Sequence, residues 1–303
     1  MSCDDRVVDL AGQFERDGWV RLPERIPAER TAAVVDSLSR AWRGAPHEKW
    51  ANAWRAHRAV AELAADPTVL AALTELFDRR PIPFQTLDLR TGSQQRLHAD
   101  AVHFDSVPAG WMCGVWVALE DVGADQGPLE LVTGSHRIGA LRPDQLVGDP
   151  DAFDYAAYED RVAEAVAGRP VEQFLCRRGD VVVWHADLVH GGAPVLRPGA
   201  TRWSQVTHYV LEGAAYITPM RSDLAAGEYS LRHPLVDLST GRRVRHVLDG
   251  EPLRMEHLPG GRTRLSPRSG SGPGPVARAR SATRGALREV RSAVAAARDA
   301  RRS

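Results

Sequence analysis

The chain has 303 residues, enough for one large domain with a substantial core, and its 39 basic and 39 acidic side chains cancel to a formal net charge of zero. The cancellation hides a split: from Arg262 onward eleven arginines face only Glu289 and Asp299, a net of +9, so the preceding body carries −9 and is a poor partner for nucleic acid. Cys3, Cys113 and Cys176 form no CxxC pair, which argues against a disulfide framework or zinc knuckle, and with no apolar leader and no membrane-length apolar run the expectation is a soluble, cytoplasmic protein.

Val7 to Arg16 reads as a short helix stopped by Asp17-Gly18, and Trp19 to Leu22 then alternates like a strand. Pro27 to Arg43 is a second amphipathic helix with Val34, Val35, Leu38 and Trp42 on one side, ending at Gly44. Asp66-Pro67 supplies an N-cap followed by proline at the first helical position, opening a third helix through Leu70 and Leu73 to Phe77. Trp42, Trp50 and Trp54 are expected to form a packing layer against a β core; a substrate entrance is the less favoured reading.

From Pro83 the pattern turns to short strands separated by Gly and Pro: Phe84 to Arg90, Met112 to Leu119, Val171 to Arg177, Asp180 to His185 and Arg202 to Leu211. Such spacing predicts a sandwich or barrel. Residues 138–170 interrupt it with seven acids, Tyr155, Tyr158 and a helix from Tyr155 to Ala167; a lid over the site is expected there, a solvated excursion being the alternative. Tyr216 to Leu258 has no clear period, Gly260 to Pro275 reads as a flexible linker, and Ser281 to Arg302 as a marginal Ala/Arg helix. The domain is therefore placed at 1–260, with its motif-bearing core at about 83–213, and an Arg/Ala-rich tail at 261–303. A +9 tail on an acidic body suits self-docking or an acidic partner such as membrane lipid or nucleic acid, against the plainer reading of a solvated tail.

The chemistry-bearing stretch is Gln94 to Asp100. In a strand, residues i and i+2 share a face, so His98 and Asp100 can converge on one point, and a histidine plus a carboxylate is two thirds of a facial metal triad. His-x-Asp occurs three times, at His98/Asp100, His103/Asp105 and His185/Asp187, and spacing does not choose among them. His190, followed by Gly191-Gly192, is the best candidate for a third ligand. Beyond it, Arg202 and Ser204 alternate onto one face, where a guanidinium fork beside a hydroxyl suits a carboxylate. In Met112 to Leu119, Trp116 points the same way as Gly114, whose missing side chain leaves space beside it; taken alone, Trp116 reads as core.

The ordered series Leu97-His98-Ala99-Asp100-Ala101-Val102-His103-Phe104, Gly114 to Asp121, Gly127-Pro128-Leu129-Glu130, Gly134-Ser135-His136, Gly179 to His185, His190-Gly191-Gly192 and Thr201-Arg202 resembles the phytanoyl-CoA dioxygenase family over roughly residues 10–220. The resemblance implies a mainly β fold, a double-stranded β-helix (jelly-roll, cupin-like) packed by N-terminal helices. It also implies Fe(II), with 2-oxoglutarate and O2 as cosubstrates. By position it makes His98, Asp100 and His190 the catalytic metal ligands, puts Arg202 on the distal carboxylate of 2-oxoglutarate with Ser204 nearby, and sets Trp116 beside the cosubstrate. The expected reaction is hydroxylation of an unactivated C–H with release of succinate and CO2, since the resemblance implies that a halogenase would carry a small residue in place of Asp100. No polybasic pocket for a CoA phosphate is visible in the body, which points to a small molecule or biosynthetic intermediate. A metal-binding module without turnover and a metal-dependent hydrolase are the other classes, the latter disfavoured by the absence of an obvious general base beside the three ligands.

Overall fold

In the computed structural model, which describes residues 9–42, 49–138, 153–248 and 251–267, the helical patterns of the first eighty residues become helices packed on one sheet. Helix α1, Leu10–Asp17, is opened by the Asp9 carboxylate accepting from the Gly12 amide and closed by Gly18 at φ 80, a conformation that favours glycine. Strand β1 is Trp19–Arg21, and α2, Ala28–Ala41, buries Thr31, Val34 and Leu38. Strand β2 is Lys49–Ala51; a further helix that the sequence did not announce, α3, covers Arg58–Ala64. Helix α4, Pro67–Phe77, starts where the capping signal placed it: Asp66 Oδ1 accepts from the Thr68 amide at 2.9 Å, and Pro67 occupies a position whose N–H has no helical partner.

The strands follow as β3 Pro81–Leu89, β4 Asp105–Val107, β5 Met112–Ala118 and β6 Leu129–Leu131. After helix α5, Tyr155–Ala165, come β7 Glu172–Phe174, β8 Val181–His185, β9 His190–Gly192, β10 Ser204–Leu211 and β11 Ala215–Ile217. Antiparallel pairing gives a six-stranded sheet in the order β1-β8-β5-β10-β3-β2 and a three-stranded sheet in the order β7-β6-β9. This is the expected mainly β, jelly-roll core, in which the two sheets remain separate ladders and do not close into one barrel.

Alternation decides which side chain goes where. From β5 and β8, Cys113, Val115, Val117, Val181 and Val183 face the helices and pack with Val34, Leu38, Val60, Leu63 and Leu73. Each such aliphatic side chain taken out of water contributes about 1.5–3 kcal/mol. Trp116, Val182 and Trp184 point the other way and meet Leu129, Leu131 and Phe174 of the smaller sheet. The tryptophan layer is present: Trp42 lies edge-on to Trp50 (5.8 Å between centroids) and to Trp203 (5.3 Å), in the cluster between helices and sheet.

The C-terminal part corrects the sequence reading. Residues 228–229 (β12), 247–248 (β13), Glu251–His257 (β14) and Thr263–Pro267 (β15) form a four-stranded sheet in the order β12-β15-β14-β13, with Leu265 buried beside Tyr229. The expected linker from Gly260 thus begins, over its described residues, as a strand in register with β14; the strands on either side are two residues long, too short to show a period. The expected Ala/Arg helix and most of the basic tail lie outside the described residues, as do residues 139–152 of the expected lid. Among the described residues no helix is long and apolar enough to cross a membrane.

Candidate metal centre

The residues singled out as ligands come together. His98 and His190 exchange two backbone hydrogen bonds of 2.9 Å each across an isolated antiparallel bridge, which sets their imidazoles 4.5 Å apart. Ala99 is extended, so Asp100 keeps the i+2 relation to His98 even though it opens a turn of 3-10 helix and not a further strand residue. Its Oδ1 lies 3.9 Å from His98 Nε2 and 3.8 Å from His190 Nε2, and one ligand atom from each of the three side chains falls within 4.8 Å of the others. Among the described residues this is the one group of three or more such side chains so arranged.

The hydrogen bonds around the group settle which atoms are free. His98 Nδ1 donates to the Arg96 carbonyl at 2.9 Å and His190 Nδ1 to the Leu188 carbonyl at 3.0 Å, which leaves both Nε2 lone pairs facing the shared space. Asp100 is tied through its other oxygen: Oδ2 accepts from Trp184 Nε1 at 2.8 Å and stands 3.3 Å from His208 Nε2. Burial would push the Asp100 carboxyl up, but His190, His208 and His98 around it hold it well below the ordinary value. Burial, helped by His190, pushes His98 down to about 3, so its imidazole is neutral, the form that ligates metal. Gln95, whose amide nitrogen is 3.2 Å from His98 Nε2, reaches into the same space.

The cavity beside the triad is lined by both histidines, Asp100, Trp116, Trp184, Arg202 and His208. Arg202 is 2% exposed, yet its Nε and Nη1 have no partner among the described residues, and burial lowers it only to about 10, so it carries its charge. Trp116 Nε1 and Ser204 Oγ are also buried and unpartnered, and the Arg202 guanidinium stands 5.7 Å from the Trp116 ring. Buried polar groups normally find partners, so buried donors left open beside one cavity suit an anionic ligand. Two imidazoles presenting Nε2, one carboxylate and a buried guanidinium therefore suit a divalent metal with an acidic cosubstrate; Ser204 shares the inward face of β10 but does not itself line the cavity.

One expectation about this face is corrected. The space left by Gly114 is not open beside Trp116: a Cβ there would stand 2.3 Å from the Trp184 indole, so Gly114 makes room for the ring that donates to Asp100. The other two His-x-Asp pairs are spent elsewhere. Asp105 Oδ1 accepts from the Ser106 and Gly110 amides at 2.8 and 3.0 Å, while His103 stacks on Tyr155 with its Nε2 3.2 Å from the phenol oxygen. His185 Nδ1 accepts from the Asp187 amide at 3.1 Å. The described part of residues 138–170 is docked: Tyr158 is fully buried, its hydroxyl accepts from the Ala99 amide at 3.1 Å, and Arg96 pairs with Glu159 and Asp160. Trp184 and His208 are the site residues that sequence reasoning missed. His208 had a signal, since it continues the alternation Arg202, Ser204, Val206 onto one face.

A jelly-roll fold with a buried two-histidine, one-carboxylate group inside defines the class, and comparison with known proteins gives the family. The family model for phytanoyl-CoA dioxygenase (PhyH) matches residues 14–202, so the chain belongs to that family. It is 24% identical to L-proline trans-4-hydroxylase of Streptomyces griseoviridis over 223 residues, 64% of this chain and 82% of that one. It spans about half or less of the length of the phytanoyl-CoA dioxygenase relatives that it also matches. Among solved structures, the carbocyclase SnoK from nogalamycin biosynthesis superposes with a TM-score of 0.59 at 19% identity, covering 71% of this chain and 88% of that one. The epimerase SnoN of the same biosynthesis gives 0.56 at 22% identity over 84% and 96%, and has also been solved with Fe3+, alpha ketoglutarate and nogalamycin RO. At these identities the structural likeness establishes the fold.

Proposed function

We propose that the protein is an Fe(II)- and 2-oxoglutarate-dependent oxygenase that hydroxylates a C–H bond of a small molecule, with His98, Asp100 and His190 as the metal ligands and Arg202 as the cosubstrate anchor. The observation that carries this reading is the convergence, in one cavity, of a metal-ready triad with an unpartnered buried guanidinium. Family membership supports it, as does a solved neighbour holding iron and the same keto acid. Iron and 2-oxoglutarate together would activate O2 for oxidation of the substrate, with loss of CO2 and formation of succinate. The chain's own part is placement. His98 and His190 present fixed Nε2 atoms, and Trp184 and His208 hold Asp100 by Oδ2 so that Oδ1 faces the histidines. Arg202 and Trp116 Nε1 supply donors for a carboxylate at the far end of the cosubstrate, with Ser204 Oγ behind them on the same strand face. Burial of these groups excludes water from the site.

The test is a 2-oxoglutarate titration of the anaerobic Fe(II) protein, following the charge-transfer absorption of a keto acid chelated to iron. Wild type is expected to show the band, with succinate and a product one oxygen heavier appearing when air and substrate are admitted. Arg202→Ala is expected to bind 2-oxoglutarate about 10- to 150-fold more weakly, the worth of a charge-assisted pair, and Arg202→Lys to fall between. No band in wild type, or an Arg202→Ala protein that titrates like wild type, overturns the assignment.

A further inference from the structure

Arg232 lies beyond the family match, which ends at residue 202, and the proposed metal chemistry does not use it. Its guanidinium lies 4.4 Å from the centroid of the Phe104 ring and 5.1 Å from that of Phe84. Its Nη2 donates to Gln85 Oε1 at 2.9 Å. Gln85 is the β3 residue in register with His208, and the His208 ring contacts Phe104 at 4.9 Å, so Arg232 stands on the inner face of the large sheet, next to the residue that contacts Asp100. The backbone fixes it there. Its amide donates to the Tyr216 carbonyl at 3.0 Å, Leu231 bridges Ile217, and β11 in turn pairs with β4, which directly follows Phe104.

What this arginine lacks is an acid. Three other arginines that reach a buried acid pair with it: Arg80 with Asp237 at 2.8 Å, Arg30 with Asp66 at 3.0 Å, Arg25 with Asp180 at 3.2 Å. Arg232 has no such partner among the described residues, and burial alone, unopposed by any carboxylate, pushes it down to about 10. It is still charged at neutral pH. The metal-site cavity, which His208 lines, adds Lys49 and Arg202, against Asp100 as the sole acidic lining residue among those described. An interior of this sign favours an anionic guest, and with Nη2 already taken, the remaining N–H groups of one planar fork suit a carboxylate.

We propose that Arg232 is the substrate anchor of this enzyme and that the substrate is a carboxylate-bearing small molecule, held by its acid group at Arg232 while its reacting carbon lies beside the metal. The inference rests on the oxygenase reading for where the reacting carbon goes, but the anchor itself is a binding claim that can be read without turnover.

The experiment measures equilibrium binding by ligand-observed NMR to full-length protein loaded with Zn(II) and saturating 2-oxoglutarate, which keeps Arg202 occupied. The probes are 3-phenylpropionate, cyclohexanecarboxylate and 4-hydroxybenzoate, each beside its primary amide. Wild type is expected to bind at least one acid about tenfold or more tightly than its amide, the contrast a charge-assisted pair provides. Arg232→Gln is expected to erase that contrast, Arg232→Lys to keep part of it, and Arg232→Met, which preserves the apolar stem on the two rings, to serve if the glutamine variant does not fold. A wild type that prefers no acid over its amide, or a folded Arg232→Gln or Arg232→Met protein that keeps the preference, overturns the anchor. The 2-oxoglutarate titration of the same samples reports separately on the oxygenase reading: its failure in wild type sinks that reading, whereas loss of acid preference with 2-oxoglutarate binding intact concerns Arg232 alone.

Discussion

The two faces of β10 bury polar groups equally deeply and treat them oppositely. On the outward face Gln205 Nε2 donates to the Val60 carbonyl and to Thr207 Oγ1, and the Tyr209 hydroxyl donates to the Ala64 carbonyl at 2.7 Å, so these groups bind helix α3 to the sheet. On the inward face Ser204 Oγ and His208 Nδ1 have no partner among the described residues, and neither does most of the Arg202 fork just before the strand. An unmade buried hydrogen bond costs about 1–3 kcal/mol. A fold that meets this demand on one side of a strand and leaves it open on the other fits the proposed binding of a ligand on the second side. The apparent exception on the outer face has a local remedy. Asp88 Oδ1 and Gln205 Oε1 are both unpartnered acceptors among the described residues, but they belong to residues in cross-strand register, and a proton on Asp88 turns one acceptor into a donor.

The sharpest test of this division is Asp100→Ala against Asp105→Ala. The first removes the carboxylate on which His98 and His190 converge and is expected to lower metal affinity at least about 100-fold, with the fold retained because the strands, not this side chain, hold the sheet. The second removes an acceptor for two backbone amides and is expected to cost about 1–3 kcal/mol of stability with metal affinity unaltered. Isothermal titration with Fe(II) beside thermal melts reads both, and the reverse pattern would mean that the wrong pair was chosen. Next in size is Trp184→Phe, which keeps a ring over Gly114 but deletes the N–H on Asp100 Oδ2. Metal affinity should fall about 10- to 100-fold, the usual worth of a residue that orients a ligand. Gly114→Ala should act on the same bond from below, since its new methyl would collide with the indole.

How much of this was legible in the sequence follows from the range of each signal. His98, Asp100, His190 and Arg202 stand in an ordered series of motifs, and Asp66-Pro67 announced its helix because a cap is a local bond. Trp184 was missed because the bond that defines it joins residues 84 positions apart, and only the register of β5 against β8 shows that Gly114 lies under its ring. Arg232 had no signal at all: it follows a two-residue strand in a stretch without period, and what marks it is that no acid among the described residues pairs with it, a property of the fold. The supposed linker at Gly260 failed in the same way, its composition reading as flexible while Leu265 finds a buried neighbour in Tyr229.

On the outer face, Asp88→Asn tests whether the proton is there. Burial pushes this carboxyl up to about 8, so the folded chain holds its proton at pH values where the unfolded chain has released it. A folded pKa raised above 3.8 means that this contribution to stability is whole below about pH 4 and is lost as pH rises towards 8. Asparagine donates at every pH, so the variant should match wild type near pH 4 and exceed it by a growing margin as pH rises towards 9. Melts that run parallel across that range would show that Asp88 is ionised in the fold.

The smallest expected effect belongs to Tyr209→Phe, and it is the control for the whole comparison. The phenol is buried, donates one hydrogen bond to Ala64 at the end of α3, and has its ionisation pushed up by that burial, so it is neutral throughout the accessible pH range. Phenylalanine keeps the ring and leaves one carbonyl without a donor, a loss of about 0.5–1.5 kcal/mol. Since Tyr209 lies one residue from His208 but on the opposite face, metal and 2-oxoglutarate affinities should stay within twofold of wild type (an allowance of about 0.4 kcal/mol). If they fall as they do in Trp184→Phe, the two faces are coupled through the strand, and the outer hydrogen bonds belong to the site as well as to the fold.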